Sequence, residues 1–524
     1  MGERMQQALQ KIEAMRQENL EGGGPKLIER QHSLGKLTAR ERIDLLADPG
    51  TFHEFGSMVR TPDKFMDGRE RRTPCEGAVI GTARVNGRSV GIYASDFTVL
   101  GGSVNNTHMA KFCKLMELCE RWGIPFIWLL DSTGARLNQM RKATDTFNFW
   151  MVYQSMMLGS VPQLQLLCGP CIAGAGYCPC LVDFLVMTRG TGYLWLGGPR
   201  MVKAATAEDM LSKEADQGTG DYHMRYNGTC DMVAKDDADG IEHLKKFLSY
   251  VPSNNKEEPP FVDTGDNPAR RVDRLIDIVP EELDKPYDTH EVIEEIVDKG
   301  TFYELKPGFG KQIVTGFCRF AGHAAGIVAN NPVEPGSSVE PDASDKYYRF
   351  LEFLDSYNIP LVTLVDTPPL VSGDELEREG ILRHHGKLIY MYSIATIPKI
   401  TIVLRRAYFD SGAYAMGCTH GMGADLVYAW PIAEFAIEAA KPDLMQVFQN
   451  EIPQSASGYL ARARDKLDAF TVANQYAVEV LDNVIEPADT RIKIIEALKV
   501  TEKKVKFGSE KIPRKRSFHG SPPT

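Results

Sequence analysis

The sequence lacks long hydrophobic runs, and this absence excludes a membrane-spanning helix. Its longest strongly apolar stretches, such as residues 124–130, are much shorter than the roughly 20 residues that a span requires. The first 20 residues mix charged side chains with Met, Leu and Ile at helical spacing, so they lack the apolar segment of a secretory signal. We therefore expect a cytoplasmic protein.

The chain also lacks an excess of positive charge. Its 60 Lys and Arg residues stand against 70 Asp and Glu residues, which gives a formal net charge of −10. Nucleic acids and anionic membranes attract proteins with surplus Lys and Arg. We therefore expect no nucleic-acid partner, and any polyanionic ligand must be bound by a local patch.

Cysteine is too scarce for a disulfide scaffold, with ten residues in 524. Four of them lie within thirteen residues: Cys168, Cys171, Cys178 and Cys180. Their spacing is not the paired CxxC of a zinc ribbon, and their neighbours are mostly Gly, Ala and Pro. We expect small buried thiols and no metal here, with zinc as the less favoured alternative.

What the sequence does contain is an internal duplication at a shift of 235 residues. At this shift 81–92 matches 316–327, 111–118 matches 346–353, and 124–133 matches 359–368. A chain of this length exceeds one typical core, and so long a period indicates duplicated domains. We predict an N-terminal domain at 1–255, a polar linker at 256–280 and a C-terminal domain at 281–524.

Each copy has the pattern of an α/β domain: a Gly-bounded hairpin, an amphipathic helix, and a short apolar strand ending in Asp. No GxSxG, HExxH or GxxxxGK[ST] motif is present. Instead, each half has a Gly/Ala-rich turn after an apolar strand, CGPCIAGAGY around Gly174 and RRAYFDSGAY around Gly412. Such turns either expose backbone amides that can bind an oxyanion or only allow tight packing; two equivalent turns favour the functional interpretation.

Several motifs together resemble the carboxyltransferase β subunits of propionyl-CoA carboxylase and its relatives. They are KLTARERIDLLADPGTF (36–52), YASDFTVLGGS (93–103), DSTGAR (131–136), GPC with the following AG (169–174), GILRHHGKLIY (380–390) and GADLVYAWPIAEFAI (423–437). The resemblance covers about residues 26–507. It implies an α/β fold of two tandem crotonase-like domains of the ββα-superhelix type. In the family the N-terminal domain of one subunit binds acyl-CoA and faces the biotin-binding C-terminal domain of another, commonly within a homohexamer.

The resemblance also implies the roles of particular residues. The N-terminal oxyanion donors fall on Ala173 and Gly174, where relatives usually have Gly-Gly, and the C-terminal donors on Gly412 and Ala413. One amide pair would hold the thioester enolate and the other the ureido oxygen of biotin, so no protein base is needed. The acyl-CoA and biotin contacts are then expected at the following residues: for acyl-CoA Gly101, Gly102, Ser132, Thr133, Gly134, Arg136 and Ala415, and for biotin Pro368, Pro369 and Tyr414. Asp131 and Arg136 are expected mainly to brace the loops.

The chain has no Met-Lys-Met hairpin for biotin attachment and no ATP-binding Gly-rich loop. Biotin must therefore be carried by other subunits: a biotin carboxyl carrier protein with a biotin carboxylase, or the membrane subunits of a decarboxylase.

Three departures from the family pattern bear on specificity. Ala415 stands where many propionyl-type relatives have Asp, which suggests an acyl group larger than propionyl, and residues 408–411 add two positions before the Gly412 turn. DTPPLVSGDELEREG (366–380) resembles the α subunit of glutaconyl-CoA decarboxylase, where the reacting atom is the vinylogous γ-carbon. A decarboxylase is therefore the main alternative; a biotin-independent crotonase-type hydratase or isomerase and a non-catalytic scaffold paralogue are less favoured.

Overall fold

The computed structural model describes residues 2–61, 71–136, 143–207, 217–334, 338–368, 373–408, 412, 415–436, 470–471 and 481–504. The chain divides into two compact units between Glu257 and Glu258. Helices and strands occur in both units, which confirms the predicted α/β class. Val272, Leu275 and Val279, inside the predicted linker, are buried in the core of the second unit, and the linker itself stays a prediction.

In the first unit, the described helices and strands alternate along most of the chain. The strands are β1 His53–Phe55, β2 Ala78–Val85, β3 Arg88–Ser95, β4 Phe126–Leu130, β5 Gln163–Leu167, β6 Pro170–Ile172, β7 Phe184–Thr188, β8 Tyr193–Trp195 and β9 Met232–Ala234. The α-helices are α1 Glu3–Glu21, α2 Pro25–Ser33, α3 Ala39–Leu46, α4 Asn106–Trp122, α5 Ala143–Met157, α6 Pro199–Thr206, α7 Gly220–Tyr226 and α8 Asp237–Leu248.

The main sheet of the first unit has the order β1-β2-β3-β4-β5-β7-β9 among the described strands. The hairpin β2-β3 is antiparallel, and the strands from β3 onward pair in parallel. Every residue of β4, β5 and β7 is buried, as expected for parallel strands covered on both faces. The loops that follow β4 and β5 therefore emerge at the same edge of the sheet, where ligands of such folds bind.

The second unit repeats this arrangement. Its described strands are β10 Tyr303–Leu305, β11 Ile313–Phe320, β12 His323–Asn330, β13 Leu361–Thr367, β14 Lys399–Tyr408, β15 Leu426–Ala429, β16 Glu434–Ala436, β17 Phe470–Thr471 and β18 Asn483–Val484. Its described α-helices are α9 Leu275–Ile278, α10 Thr289–Ile296, α11 Pro341–Ser356, α12 Asp374–Glu379, α13 Ile381–Ile394 and α14 Thr490–Thr501. The sheet order is β10-β11-β12-β13-β14-β15-β18, with β16 beside β14 and β17 beside β16.

The duplication extends to individual hydrogen bonds. The register that pairs Gly81 with Ile92 in the first hairpin pairs Gly316 with Ile327 in the second. The Asp48 carboxylate accepts hydrogen bonds from the amides of residues 86 and 87 in the hairpin turn, at 3.0 and 2.7 Å. The Asp298 carboxylate does the same for residues 321 and 322, at 2.9 and 2.7 Å. The two units thus share a fold down to the bonds that close their turns.

A buried lysine also occupies the same place in each unit. Lys111 donates to the carbonyl of Cys75, before β2, and to that of Ala78, its first residue, at 2.7 and 2.5 Å. Lys346 donates to the carbonyl of Phe309, before β11, and to that of Ile313, its first residue, at 2.9 and 2.7 Å. Burial lowers the pKa of Lys111 to about 8 and that of Lys346 to about 7. Each lysine therefore ties the helix that follows the hairpin, α4 or α11, to the beginning of the first hairpin strand, β2 or β11.

All ten cysteines lie within the described residues, and each is a free thiol. No helix in the described part of the chain combines the length and the apolar character needed to cross a membrane.

Candidate active site

The Gly/Ala-rich turn of the first unit begins a 3-10 helix that spans Ala173–Leu181 and follows β6. The first amides of a helix have no carbonyl partner inside that helix, so the amides of Ala173 and Gly174 are available to a ligand. Ala173 has a φ of 58°, a backbone conformation that glycine adopts more easily than alanine. A Cβ placed on Gly174 would meet no atom within 4 Å, so the space on the side-chain side of this residue is open.

A cavity of about 290 Å³ lies directly beside this turn. It is lined by residues of β3, β4, α4, α5 and the loops after β4 and β6: Tyr93, Val104, Met109, Phe112, Trp128, Leu130, Ser132, Gly134, Ala135, Trp150, Met151, Ile172, Ala173, Gly174 and Ala175. No charged side chain occurs among these described residues. The structure therefore joins a pair of candidate oxyanion donors to a largely apolar chamber.

The loop after β4 is held by the loop at residues 100–102. The Gly101 carbonyl accepts from the Thr133 amide at 2.9 Å, and the Gly102 carbonyl accepts from the Ser132 hydroxyl at 2.7 Å. A Cβ on Gly102 would lie 2.3 Å from a backbone oxygen of the other loop, so only glycine permits this approach. Five predicted acyl-CoA residues are thus brought together: Gly101, Gly102, Ser132, Thr133 and Gly134. Only Ser132 and Gly134 of these line the cavity.

Arg136, the sixth residue predicted to contact acyl-CoA from the first unit, is buried beside the loops. Its guanidinium donates to the Glu76 carboxylate at 2.5 Å, and to the hydroxyl and carbonyl of Ser103 at 3.2 and 2.7 Å. It is 5% exposed and is not among the cavity-lining residues. These contacts support the bracing role that the sequence suggested for Arg136.

Asp131 anchors the loop after β4 through buried ion pairs and a hydrogen bond. Its carboxylate accepts from Lys36 at 2.5 Å, from Arg42 at 3.1 Å and from Gln31 at 2.8 Å. Arg42 is fully buried and also contacts Asp237 in α8 at 2.7 Å. This network ties the N-terminal segment to the carboxyl end of β4, so the motif at 36–52 supports the site without entering it.

Sequence reasoning missed Tyr93 and His108 as site residues. The Tyr93 hydroxyl, on a cavity-lining residue, hydrogen-bonds to Nε2 of His108, whose Nδ1 lies 3.1 Å from the Glu76 carbonyl. Burial lowers the pKa of His108 to about 3, so the ring is neutral at pH 7 and Nδ1 donates to that carbonyl. The motif at 93–103 includes Tyr93 but not His108, and nothing local in the sequence pairs the two residues.

In the second unit the structure describes part of the predicted site. Gly412 follows β14, and a Cβ there would lie 2.7 Å from a backbone carbon of Ala407, so the turn requires glycine. Pro368 follows β13 and is half-buried, whereas Ala415 is fully buried within the single chain. The other predicted residues lie outside the described part of the chain: Pro369, Ala413 and Tyr414.

Asp366 repeats in the second unit the role of Asp131, from which it is 235 positions away. Its carboxylate accepts from Arg405 and Arg406, each at 2.7 Å. The Arg405 guanidinium is fully buried and reaches three backbone carbonyls of residues 280–285, at 3.1, 2.7 and 3.1 Å. A buried carboxylate with cationic partners therefore ends the equivalent strand in both units.

Comparison with known proteins is consistent with this geometry. The carboxyl transferase domain family matches residues 30–516. The carboxyltransferase subunit of propionyl-CoA carboxylase from Haloferax mediterranei is 37% identical over 97% of this chain and 98% of its own length. The methylmalonyl-CoA decarboxylase subunit alpha of Veillonella parvula is 36% identical over 91% of this chain and 92% of its own.

A solved structure extends the likeness to the fold. The transcarboxylase 12S subunit, a hexamer crystallised with methylmalonyl-coenzyme A, matches with a TM-score of 0.87 at 38% identity, over 95% of this chain and 96% of that one. The predicted crotonase-like fold and the predicted relation to propionyl-CoA carboxylase β subunits are confirmed. The chain therefore belongs to the carboxyl transferase family of enzymes.

Proposed function

We propose that this enzyme transfers a carboxyl group between biotin, carried on a separate protein, and the α-carbon of an acyl-CoA. The observation that carries the proposal is the position of the Ala173 and Gly174 amides at the edge of a largely apolar cavity. Amides aimed at a developing oxyanion in a water-poor site stabilise it much more than water does. The thioester oxygen of an acyl-CoA enolate is such an oxyanion.

The described residues fit a reaction whose base comes from outside the chain. No Asp, Glu, Lys or free imidazole lines the cavity in its described part, and the nearby His108 is neutral and doubly hydrogen-bonded. Biotin, when bound, supplies the carboxyl group and accepts the α-proton. The amides of Ala173 and Gly174 hold the enolate oxygen, and those of Gly412 and Ala413 hold the ureido oxygen of biotin.

The test of this proposal removes one hydrogen-bond donor, the backbone N–H of Gly174. Gly174→Pro deletes the N–H donor, and a Cβ at this residue meets no atom within 4 Å. We expect kcat for methylmalonyl-CoA decarboxylation with free biotin to fall about 10²–10³-fold. The matched control Gly174→Ala keeps the amide and should change kcat less than about threefold. Equal losses in the two variants would show that the amide is not a donor in the reaction.

The same site can catalyse decarboxylation, since carboxylation and decarboxylation of an acyl-CoA pass through the same enolate. The similarity to methylmalonyl-CoA decarboxylase supports this second candidate. Release of CO2 that depends on membrane decarboxylase subunits would identify it. A hydratase or isomerase would need a carboxylate in the cavity, and the described lining offers none.

We also propose that the chain assembles as a hexamer and receives biotin from a carrier subunit. The hexameric transcarboxylase 12S relative supports the assembly. The carrier, with a biotin carboxylase or with membrane decarboxylase subunits, follows from the family and from the missing biotinylation motif in this sequence.

A further inference from the structure

The cavity beside the Ala173-Gly174 turn is larger than a propionyl group needs. Its volume is about 290 Å³. A closed apolar cavity of about 150 Å³ already accommodates benzene. The space beneath the amide pair can therefore hold roughly ten carbon atoms, whereas a propionyl group adds two carbons beyond the thioester carbon.

The position of the cavity favours an acyl chain as its occupant. One end is formed by residues 173–175, which include the proposed oxyanion donors. The rest extends into the interior between α4, α5 and β4, where Phe112, Trp128 and Trp150 form an aromatic wall. An acyl group attached to a thioester held at the amides can extend in this direction.

The chemistry of the wall selects the kind of acyl chain. The described lining contains no charged group. The Tyr93 hydroxyl already has a partner in His108, and the Ser132 hydroxyl donates to the Gly102 carbonyl, whereas the buried indole N–H of Trp128 has no partner among the described residues. A carboxylate at the end of the acyl chain would lose its hydration here without gaining a cation, whereas each methylene placed here is removed from water.

We propose that the acyl group of the substrate is neutral and apolar, with about six to ten carbons, and that it occupies this cavity; the assignment rests on the proposed function. Such a preference is independent of Ala415, the residue on which the sequence-based expectation of a larger acyl group depended.

The test is a series of acyl-CoA esters bound to the full-length protein and measured by calorimetry. We expect octanoyl-CoA to bind at least tenfold more tightly than propionyl-CoA, with hexanoyl-CoA between them. Glutaryl-CoA, which ends in a carboxylate, should bind no more tightly than propionyl-CoA. Affinities for propionyl-CoA and octanoyl-CoA within threefold of each other would overturn the proposal.

Two variants assign the preference to this cavity. Val104→Phe fills part of it and should weaken octanoyl-CoA binding at least tenfold more than it weakens propionyl-CoA binding. Val500→Phe, at a residue 79% exposed, is the matched control and should change neither. If Val104→Phe does not fold, Phe112→Leu enlarges the cavity and should move the preference toward longer chains. A preference unchanged by the folded variants would contradict the assignment.

The outcome for the acyl chain is separable from the outcome for carboxyl transfer. If affinity rises with chain length but no biotin-dependent reaction occurs with any ester, the proposed function fails. If propionyl-CoA or methylmalonyl-CoA reacts while affinity ignores chain length, the function stands and the inference about the acyl group fails.

Discussion

At the scale of single residues, Ala173 combines a candidate catalytic amide with an unfavourable backbone. Its φ of 58° costs an L-residue about 1–2 kcal/mol relative to glycine, partly offset by the lower entropy of unfolded alanine. We expect Ala173→Gly to leave the protein as stable or to stabilise it by up to about 1 kcal/mol. Thermal unfolding of the variant beside the parent measures this.

The control for Ala173 lies two residues away in the same 3-10 helix. Ala175 has an ordinary negative φ and its methyl packs against the core, so Ala175→Gly adds unfolded-state entropy, removes that packing and should destabilise by at least about 0.5–1 kcal/mol. If Ala173→Gly and Ala175→Gly lower the free energy of unfolding equally, the left-handed conformation of Ala173 does not destabilise the protein.

Asp131 is a buried carboxylate of the first unit with two buried cationic partners. Its neutralisation in Asp131→Asn leaves the buried cations Lys36 and Arg42 with reduced compensation. We expect a loss of about 3–5 kcal/mol in the free energy of unfolding. The exposed pair between Arg189 and Asp221 provides the control, since Asp221→Asn should cost less than about 1 kcal/mol. Denaturant titration of both variants distinguishes a buried network from a surface pair.

Among the site residues, those fixed by local backbone requirements could be predicted from the sequence. The Gly-rich motifs at Gly102 and Gly412 mark places where two backbones approach closely, and the structure describes both approaches. The sequence suggested that Arg136 supports the loops, but it could not identify Glu76 as the partner. Glu76 is 60 positions away and lies in no recognisable motif. The aromatic wall of the cavity likewise depends on long-range packing that a single sequence does not encode locally.

At the scale of elements, the start of α10 contains a histidine whose charge stabilises the fold. His290 Nδ1 lies 2.6 Å from Asp288 and Nε2 lies 3.1 Å from Glu304 in β10. The hydrogen bond to Glu304, followed by that to Asp288, raises the pKa of His290 to about 9. Because the folded pKa exceeds the unfolded value of about 6.5, the stabilisation is complete below about pH 6.5 and is lost as pH rises through about 9.

The variant His290→Gln tests this pH dependence. At pH 6 the parent should exceed the variant by about 1 kcal/mol after solvent screening, or about 2–4 °C in Tm. Near pH 10 the difference should vanish. A difference in Tm that stays constant across this range would contradict the role of the imidazolium.

The order of elements was the most predictable part of the fold. The repeated hairpin, helix and Asp-ended strand appear in both units, because apolar periodicity and turn glycines report local structure directly. The sequence could not show that Lys111 and Lys346 would be buried, because lysine is ordinarily a surface residue and its partners here are backbone carbonyls.

At the scale of the whole molecule, two properties of the purified chain follow from the proposed function. We expect an assembly of six copies of a 58.3-kDa chain, about 350 kDa by light scattering. A monomer or dimer at working concentration would contradict the hexamer.

The second property is the absence of covalent biotin from this chain, which follows from the missing carrier motif. Intact mass spectrometry should give the mass of the unmodified polypeptide, while carboxyl transfer still requires added biotin or a biotinylated carrier. An increment of one biotin would contradict this expectation.

Each unit buries its own core, and every strand of the first sheet precedes residue 235. A ribosome that has released the first 257 residues has therefore already supplied all the pairing partners of that sheet. At usual elongation rates the second unit needs on the order of 10 s more, so the first can fold cotranslationally while the second is still being made. The unit proposed to bind acyl-CoA would then be folded before the unit proposed to receive biotin has been synthesised, and truncated nascent chains should resist proteolysis once Glu257 has cleared the exit tunnel.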